Sequence, residues 1–339
     1  MEHIGLDLGG RESQVCVRNA TGEIVEEARV PTRALGTYLR NRPPSRVVLE
    51  TCAESFAIAD AAEQAGHTVN VVPSTLVRSL GVGARGIKTD VRDARLQSEL
   101  SCRMKELPRV HVPSQSAREL KTALNMREAL VTARTQLTNT VRGYLRGKLT
   151  QVRCTPETMP MRVRAALLAQ PTGMPTCLER QLVVLEALNA QIKAADKELA
   201  QVVKNHAICR LLMTAPAVGP VTAARFVSSV DEVGRFRSAH ALESYLGLTP
   251  GESSSSERVR RTGLTKAGPS TVRKCLAQVC WTIYRLRPDD PLAQWGRRIA
   301  ERRNKQVAIC AMMRKLAGIL YAMWRDNRPY EPNRLVTPM

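Results

Sequence analysis

Apolar and polar residues change rhythm along this chain, and each rhythm predicts a different kind of element. In the first hundred residues the apolar stretches are short. Ile4-Gly-Leu-Asp-Leu8 is a compact apolar run broken by Gly9 and Gly10, and Gln14-Val-Cys-Val-Arg18 alternates with a period of two. Asn19-Ala-Thr-Gly22 reads as a turn into a strand that opens at Ile24-Val25, so three strands joined by hairpins are expected. Arg46-Val-Val-Leu-Glu50 has the apolar middle of a buried strand. Ala53 to Ala65 keeps helical spacing and stops at Gly66, and Thr68-Val-Asn-Val-Val72 is a further strand closed by Pro73.

From about Ser114 to His206 the texture is helical. Leu120, Leu124, Ala129, Leu130 and Ala133 hold helical spacing through Leu137, and Leu178 to Val203 brings Leu182, Leu185, Leu188, Ile192 and Leu199 onto a second periodic run. Pro156, Pro160 and Pro171 separate the two. The pattern predicts a helical hairpin or coiled-coil insert, suited to subunit assembly or simply to packing on its neighbours. From about Arg210 the chain reads as helical and loop-rich. The expected organisation is a domain at 1–112, a helical region at 113–208 and a C-terminal domain at 209–339. Three antiparallel strands followed by strands alternating with helices give the first domain an α/β, ribonuclease-H-like order; the coiled-coil insert and a mainly α C-terminal domain follow.

Charge then narrows the function. The 339 residues hold 51 Lys plus Arg against 31 Asp plus Glu, a formal net charge of +20. Such a surplus repels itself unless a polyanion screens it, so nucleic acid is the expected partner. The cations cluster: Arg258, Arg260, Arg261, Lys266, Arg273 and Lys274 stand together without an acid, and Arg297, Arg298, Arg302, Arg303, Lys305, Arg314 and Lys315 face Glu301 alone. No apolar run approaches the roughly 20 residues that span a bilayer, and the N-terminus does not look like a signal peptide. The nine cysteines are odd in number, scattered and free of CxxC pairs. Neither a disulfide framework nor structural zinc is expected, and the chain suits a reducing, bacterial cytoplasm near the nucleoid.

Four acids stand out by position. Asp7 lies within an apolar strand, where an unpaired charge is costly, and Glu50 ends another. Asp90 and Asp93 are three residues apart, so on a helix they share one face. In a ribonuclease-H-like sheet the first and fourth strands are neighbours, and their carboxylates meet the helix after the last strand. Crowded carboxylates suit Mg2+ or Mn2+, and two such ions serve phosphodiester transfer. The bland alternative is a turn-capping Asp7 and a solvated Asp90/Asp93 face paired with Arg92 and Arg95. Gly5-Leu-Asp-Leu-Gly-Gly10 also looks like the phosphate loop of actin-like sugar kinases, yet those need a second such loop, and the basic second half offers none.

The other polar feature is Tyr245-Leu-Gly-Leu-Thr-Pro-Gly-Glu-Ser-Ser-Ser-Ser256, followed by Arg258, Arg260, Arg261 and Gly263-Leu-Thr-Lys-Ala-Gly268. Read by itself it is a polar loop between helices, either a flexible linker or a phosphate-holding loop whose serine attacks phosphorus. Upstream, Leu211-Leu-Met-Thr-Ala-Pro-Ala-Val-Gly-Pro-Val-Thr-Ala223 is similar to a helix-hairpin-helix turn, with Ala217 in place of its first glycine.

Ile4-Gly-Leu-Asp7, Val48-Leu-Glu50, Lys88-Thr-Asp-Val-Arg-Asp-Ala94, Gly247-Leu-Thr-Pro250 with its serines, Leu264-Thr-Lys-Ala-Gly268, Arg273 and Ala311-Met-Met-Arg-Lys-Leu316 together resemble the DEDD transposases of insertion sequences, the bridge-RNA-guided recombinases. The resemblance spans nearly the whole length. It implies a RuvC-like N-terminal domain, a coiled-coil insert and a C-terminal transposase domain. It assigns magnesium binding to Asp7, Glu50, Asp90 and Asp93, and the nucleophile to Ser255, with Ser254 the alternative because Ser256 stands where the family has glycine. Arg258, Arg260, Arg261, Lys266, Arg273 and Lys274 would bind nucleic acid. Donor and target DNA, a structured non-coding guide RNA and a homo-oligomer (dimer or tetramer) are the implied partners. A Holliday-junction-resolvase-like nuclease, with idle serines, is the competing reading, and a catalytically dead nucleic-acid-binding protein is a third.

Overall fold

A computed structural model describes residues 1–75, 89–168, 173–255 and 258–332, with the backbone alone at 252–255 and 258–262. Lys88, Pro171 and Ser256, which the sequence reading used, lie outside the described residues. The chain forms two compact units, Met1–Pro113 and Ser114–Met339.

The first unit is built on a five-stranded sheet of order β3-β2-β1-β4-β5. Its strands are β1 (His3–Asp7), β2 (Glu12–Arg18), β3 (Ile24–Pro31), β4 (Arg46–Glu50) and β5 (Thr68–Val72). The expected hairpins are present: β1, β2 and β3 pair antiparallel, and Gly22 supplies the positive φ of +91° that the β2–β3 turn needs. β4 then pairs parallel to both β1 and β5, so β1 is central and bonded on both edges.

Strand alternation sorts side chains onto two faces. Ile4, Leu6, Val47 and Leu49 are buried with Leu35, Leu39, Ile58 and Ala59 from helices α1 (Leu35–Arg40) and α2 (Ser55–Gln64). The opposite face bears Gly5, Val48 and Val72, and helix α3 (Asp90–Arg103) packs there through Leu96 and Leu100.

The second unit is mostly helical. Helix α4 (Gln115–Gly147) runs 33 residues, and α6 (Thr176–Asn205) runs 30, with α5 (Met159–Leu168) between them. The last starts at the prolines that the periodicity treated as a break, because Pro160 sits in the first turn, where its missing N–H costs nothing. Val141, Leu145, Met159, Val163, Leu182 and Leu185 form a small core at one end of this hairpin. At the other end Leu124, Leu199 and Val203 join the large core of the C-terminal helices.

Those helices are α7 (Ala207–Leu212), α8 (Pro220–Val230), α9 (Ala239–Tyr245), α10 (Ser270–Leu286), α11 (Pro291–Arg302) and α12 (Lys305–Asp326). Two findings correct the sequence reading. The serine run is not a loop: β6 (Pro250–Ser255) pairs antiparallel with β7 (Arg258–Leu264). Serines have low strand propensity, and cross-strand pairing overrides it. And α12 is long and apolar enough by composition to cross a bilayer, yet half of that stretch is buried here, with Met312, Leu316 and Leu320 in the core.

Candidate functional site

Two polar constellations emerge, one in each unit. The first sits where β1 and β4 end. Leu6 is the register partner of Leu49, so Asp7 and Glu50 follow side by side on neighbouring parallel strands. By alternation both fall on the face that α3 covers, Asp7 with Gly5 and Glu50 with Val48. Both are half-buried.

The placement of α3 brings the remaining acids to the same end. His3 Nδ1 lies 2.8 Å from Ser101 Oγ, and a Cβ on Gly5 would stand 2.1 Å from the Ala94 carbonyl oxygen and 2.4 Å from the Ser98 amide nitrogen. Moving up β1 therefore moves back along α3, and Asp7 lies toward the first turn, where Asp90 and Asp93 sit. Asp93 is completely buried, as is Gln97 one turn later. Asp90 is exposed, so the two aspartates do not share one environment despite their spacing. Asp90 is the first residue of the helix and lies at its exposed end, whereas Asp93, on the same face one turn further in, is covered.

Several contacts fix this helix. The Thr89 side chain caps its N-terminus by accepting from the Arg92 amide. Arg46 donates to the carbonyls of Ser101, Met104 and Lys105, a cation at the negative end of the helix. Arg95 makes a bidentate pair with Glu27 of β3, at 2.5 and 2.6 Å. The solvated pairing of Arg95 with Asp93 considered from spacing is thus excluded. That same guanidinium holds the Glu27 carboxyl below its ordinary value. Burial, then the neighbouring Arg46, pushes the His3 imidazole below its ordinary value.

As donors, these carboxylates match a hard divalent cation. Among the described residues, however, no three His, Cys, Asp or Glu side chains converge into a ready cage. The amide of Gln97 is buried without a hydrogen-bond partner among the described residues. Helix side chains lean toward the N-terminus, so this amide is directed to the Asp93 turn. Spacing gave no reason to single out Gln97 or Gly5. Only the Gly in the strand motif hinted at a close approach.

The second constellation is the serine hairpin and its base. The register pairs Ser255 with Arg258, Ser253 with Arg260 and Ser254 with Val259, while Arg261 pairs with Glu252. At the base, two glycines interlock the motif blocks. Gly247 has φ +67°, and a Cβ there would stand 2.7 Å from the Ala267 amide nitrogen; one on Gly268 would stand 1.9 Å from the Tyr245 carbonyl oxygen. Arg273 donates from one nitrogen to the carbonyls of Leu246 and Gly268, at 3.0 and 2.6 Å. Its guanidinium is therefore committed to the protein backbone. Lys266 is exposed with φ +54°, and Lys274 is exposed 3.9 Å from Glu128. In the upstream turn Ala217 takes φ +60°, the conformation a glycine would adopt there, and Gly219 caps α8.

Two family models match the chain: a transposase model named for DEDD and IS110 over residues 4–149, and one described as the transposase IS116/IS110/IS902 family over residues 209–293. The chain is 26% identical to a probable family 20 transposase of Pseudomonas aeruginosa, covering 98% of this chain and 99% of that protein. It is likewise 26% identical to the transposase of insertion sequence element IS1328 from Yersinia enterocolitica, over 94% and 96% of the two chains. A pilin gene-inverting protein of Moraxella bovis is 28% identical over 123 residues, 36% of this chain and 38% of that one. The acidic strand ends lie in the first matched region and the serine hairpin in the second. The chain belongs to the DEDD transposases of the IS110/IS116 family, enzymes that cut and rejoin the DNA of insertion sequences.

Proposed function

We propose that this transposase exchanges DNA strands through a covalent link to Ser255, assisted by a divalent-cation site of Asp7, Glu50, Asp90 and Asp93. The observation that supports it best is the meeting of β1, β4 and the first turn of α3 at one end of one sheet face. The strand order 3-2-1-4-5 supports a ribonuclease-H-like, RuvC-like reading of this unit. Magnesium or manganese bound there would neutralise phosphate charge and favour an ionised attacking oxygen. Asp7, Glu50 and Asp93 would hold it from the rigid sheet side, and exposed Asp90 would close from solvent.

In the covalent step the Ser255 hydroxyl oxygen bonds to phosphorus as one phosphorus–oxygen bond of the DNA backbone breaks, and the hydroxyl proton passes to the leaving sugar oxygen. Attack by another DNA hydroxyl reverses the step and restores the serine, so bond energy is conserved. The register favours Ser255 over Ser254, because an arginine stands opposite Ser255 and a valine opposite Ser254. Arg258, Arg260, Arg261, Lys266 and Lys274 would bind phosphates and offset developing charge. Arg273 instead supports the hairpin base. A structured RNA that selects donor and target DNA, and an oligomer joined through α4 and α6, complete the proposal by family resemblance. The protein would act at the bacterial nucleoid.

Trapping protein on a DNA end tests the chemistry. Wild type and Ser254→Ala should give a protein–DNA adduct stable to denaturation, and Ser255→Ala should give none. An adduct that survives Ser255→Ala overturns the assignment. Cleavage with no adduct in any variant favours hydrolysis by the carboxylates alone.

A further inference from the structure

At the small-core end of the α4–α6 hairpin, the last two turns of α4 and the irregular segment after it line a cleft of about 560 Å³. Arg142, Arg146 and Arg153 line it, with Asn139, Thr150 and Gln151 between them. Arg142 and Arg146 are one turn apart on one helix face, about 6 Å along the axis. The chain reverses sharply here: Leu149 takes φ +52° and the Thr150 amide donates back to the Leu145 carbonyl at 2.9 Å.

The charges of this cleft are treated differently from those nearby. Arg134 pairs with Glu157, and Arg164 with Glu179 and Glu186. Arg142, Arg146 and Arg153 are exposed and have no acidic partner among the described residues. A helix C-terminus favours one nearby cation, but three guanidinium groups around a hollow exceed that need. The lining adds an independent sign. Gly143 lies within α4, and a Cβ there would meet nothing within 4 Å. Glycine inside a helix costs about 1 kcal/mol relative to alanine. Packing does not require it here, and its effect is to bare the backbone along the cleft lining.

We infer that this cleft is a second nucleic-acid site, holding the phosphodiester backbone of duplex DNA apart from the acidic and serine sites. Three planar guanidinium forks suit phosphate oxygens, the neutral amides and hydroxyl between them donate to the same groups, and the enzyme's own reaction supplies DNA. A grip on the phosphodiester backbone is independent of sequence. Its function is to hold DNA flanking the exchange point against the arm formed by α4 and α6. This does not rest on the serine or metal reading.

The test is binding by the full-length protein to unrelated duplexes across a salt series, with chelator present so that cleavage does not intervene. Each phosphate contact adds about 0.9 to the slope of log affinity against log salt, so Arg142→Ala/Arg146→Ala/Arg153→Ala should lower that slope by about two to three, equally for every sequence. Gly143→Leu keeps all charges and has room to fold; it should weaken binding at least several-fold by filling the hollow. Unchanged slope and affinity in the triple variant overturn the site. Loss confined to a structured RNA probe, with duplex DNA unaffected, overturns DNA as its occupant.

Discussion

The acids stand at the ends of β1 and β4, within a sheet of five strands, while the serines stand on a ribbon of two. Each place uses glycine where backbones nearly touch, but to different effect. Gly5 lets a whole helix rest on the central strand and so sets where Asp93 arrives. Gly247 and Gly268 join the two motif blocks below the hairpin and leave the ribbon itself free of a third strand among the described residues. A site assembled from three separate segments needs a rigid platform, because every carboxylate must be held against its like-charged neighbours. The proposed nucleophile, forming and breaking a bond to a large substrate, would need only a fixed base. The contrast accounts for the burial of Asp93 beside the exposure of Lys266.

Substituting the glycines probes this contrast most severely. Gly5→Ala should displace α3 and cost about 3 kcal/mol or more, as overpacking of a tight core does, with strand cleavage lost; urea unfolding and a cleavage assay report both. Gly268→Ala should abolish adduct formation by disturbing the hairpin base. If either variant is fully stable and active, the close approach is not what organises that site.

The acids come next. Asp7→Asn and Asp93→Asn should each stop cleavage while leaving DNA affinity within a few-fold of wild type. A fully active Asp93→Asn would remove the buried carboxylate from the reaction.

Gln97→Leu sharpens the picture further. Replacing a buried amide without hydrogen-bond partners among the described residues by an apolar isostere should stabilise the protein by about 1–3 kcal/mol, yet slow cleavage if that amide serves the acidic site. Greater stability with unchanged cleavage would make Gln97 a packing residue only.

Arg273→Leu should destabilise by about 1–3 kcal/mol through the orphaned carbonyls of Leu246 and Gly268, without changing the salt slope of DNA binding. Lys274→Ala should do the reverse, lowering the slope by about 0.9 if it meets a phosphate.

The smallest effect concerns the Glu27–Arg95 pair that ties β3 to α3. Glu27 has its carboxyl held below the ordinary value of 4.5, so its contribution is present above that pH and lost as pH falls through the lower, folded value. Glu27→Gln should therefore lower stability slightly at neutral pH, leave it almost unchanged at pH values below the folded value, and flatten the pH dependence between them. A variant that loses stability equally at all pH values would show the pairing to be steric rather than ionic.

Much of the first unit was legible because alternation with period two says which strand residues face a core; Glu50 ended such a run, while Asp7, read as lying within one, closes β1 in the fold. The helical rhythm of α4 and α6 was equally plain. Composition, though, weighs all cations alike. Of the seven between Arg297 and Lys315, Arg297 donates to the Tyr284 carbonyl, Arg314 pairs with Glu243, and Lys315 lies over Trp295 at 4.7 Å, while Arg298, Arg302, Arg303 and Lys305 are exposed.

The sequence by itself determined which acids stand on strands, the helical hairpin, the basic surplus and the motif blocks that mark a transposase. Those are properties of local spacing and side-chain chemistry. Only the tertiary structure separated buried Asp93 from exposed Asp90, set Ser253, Ser254 and Ser255 on a strand, committed Arg273 to backbone carbonyls and left the arginines of the α4 cleft without acidic partners among the described residues. Each of these depends on which distant segment comes to lie alongside, and periodicity along a chain says that a face is covered without saying by what.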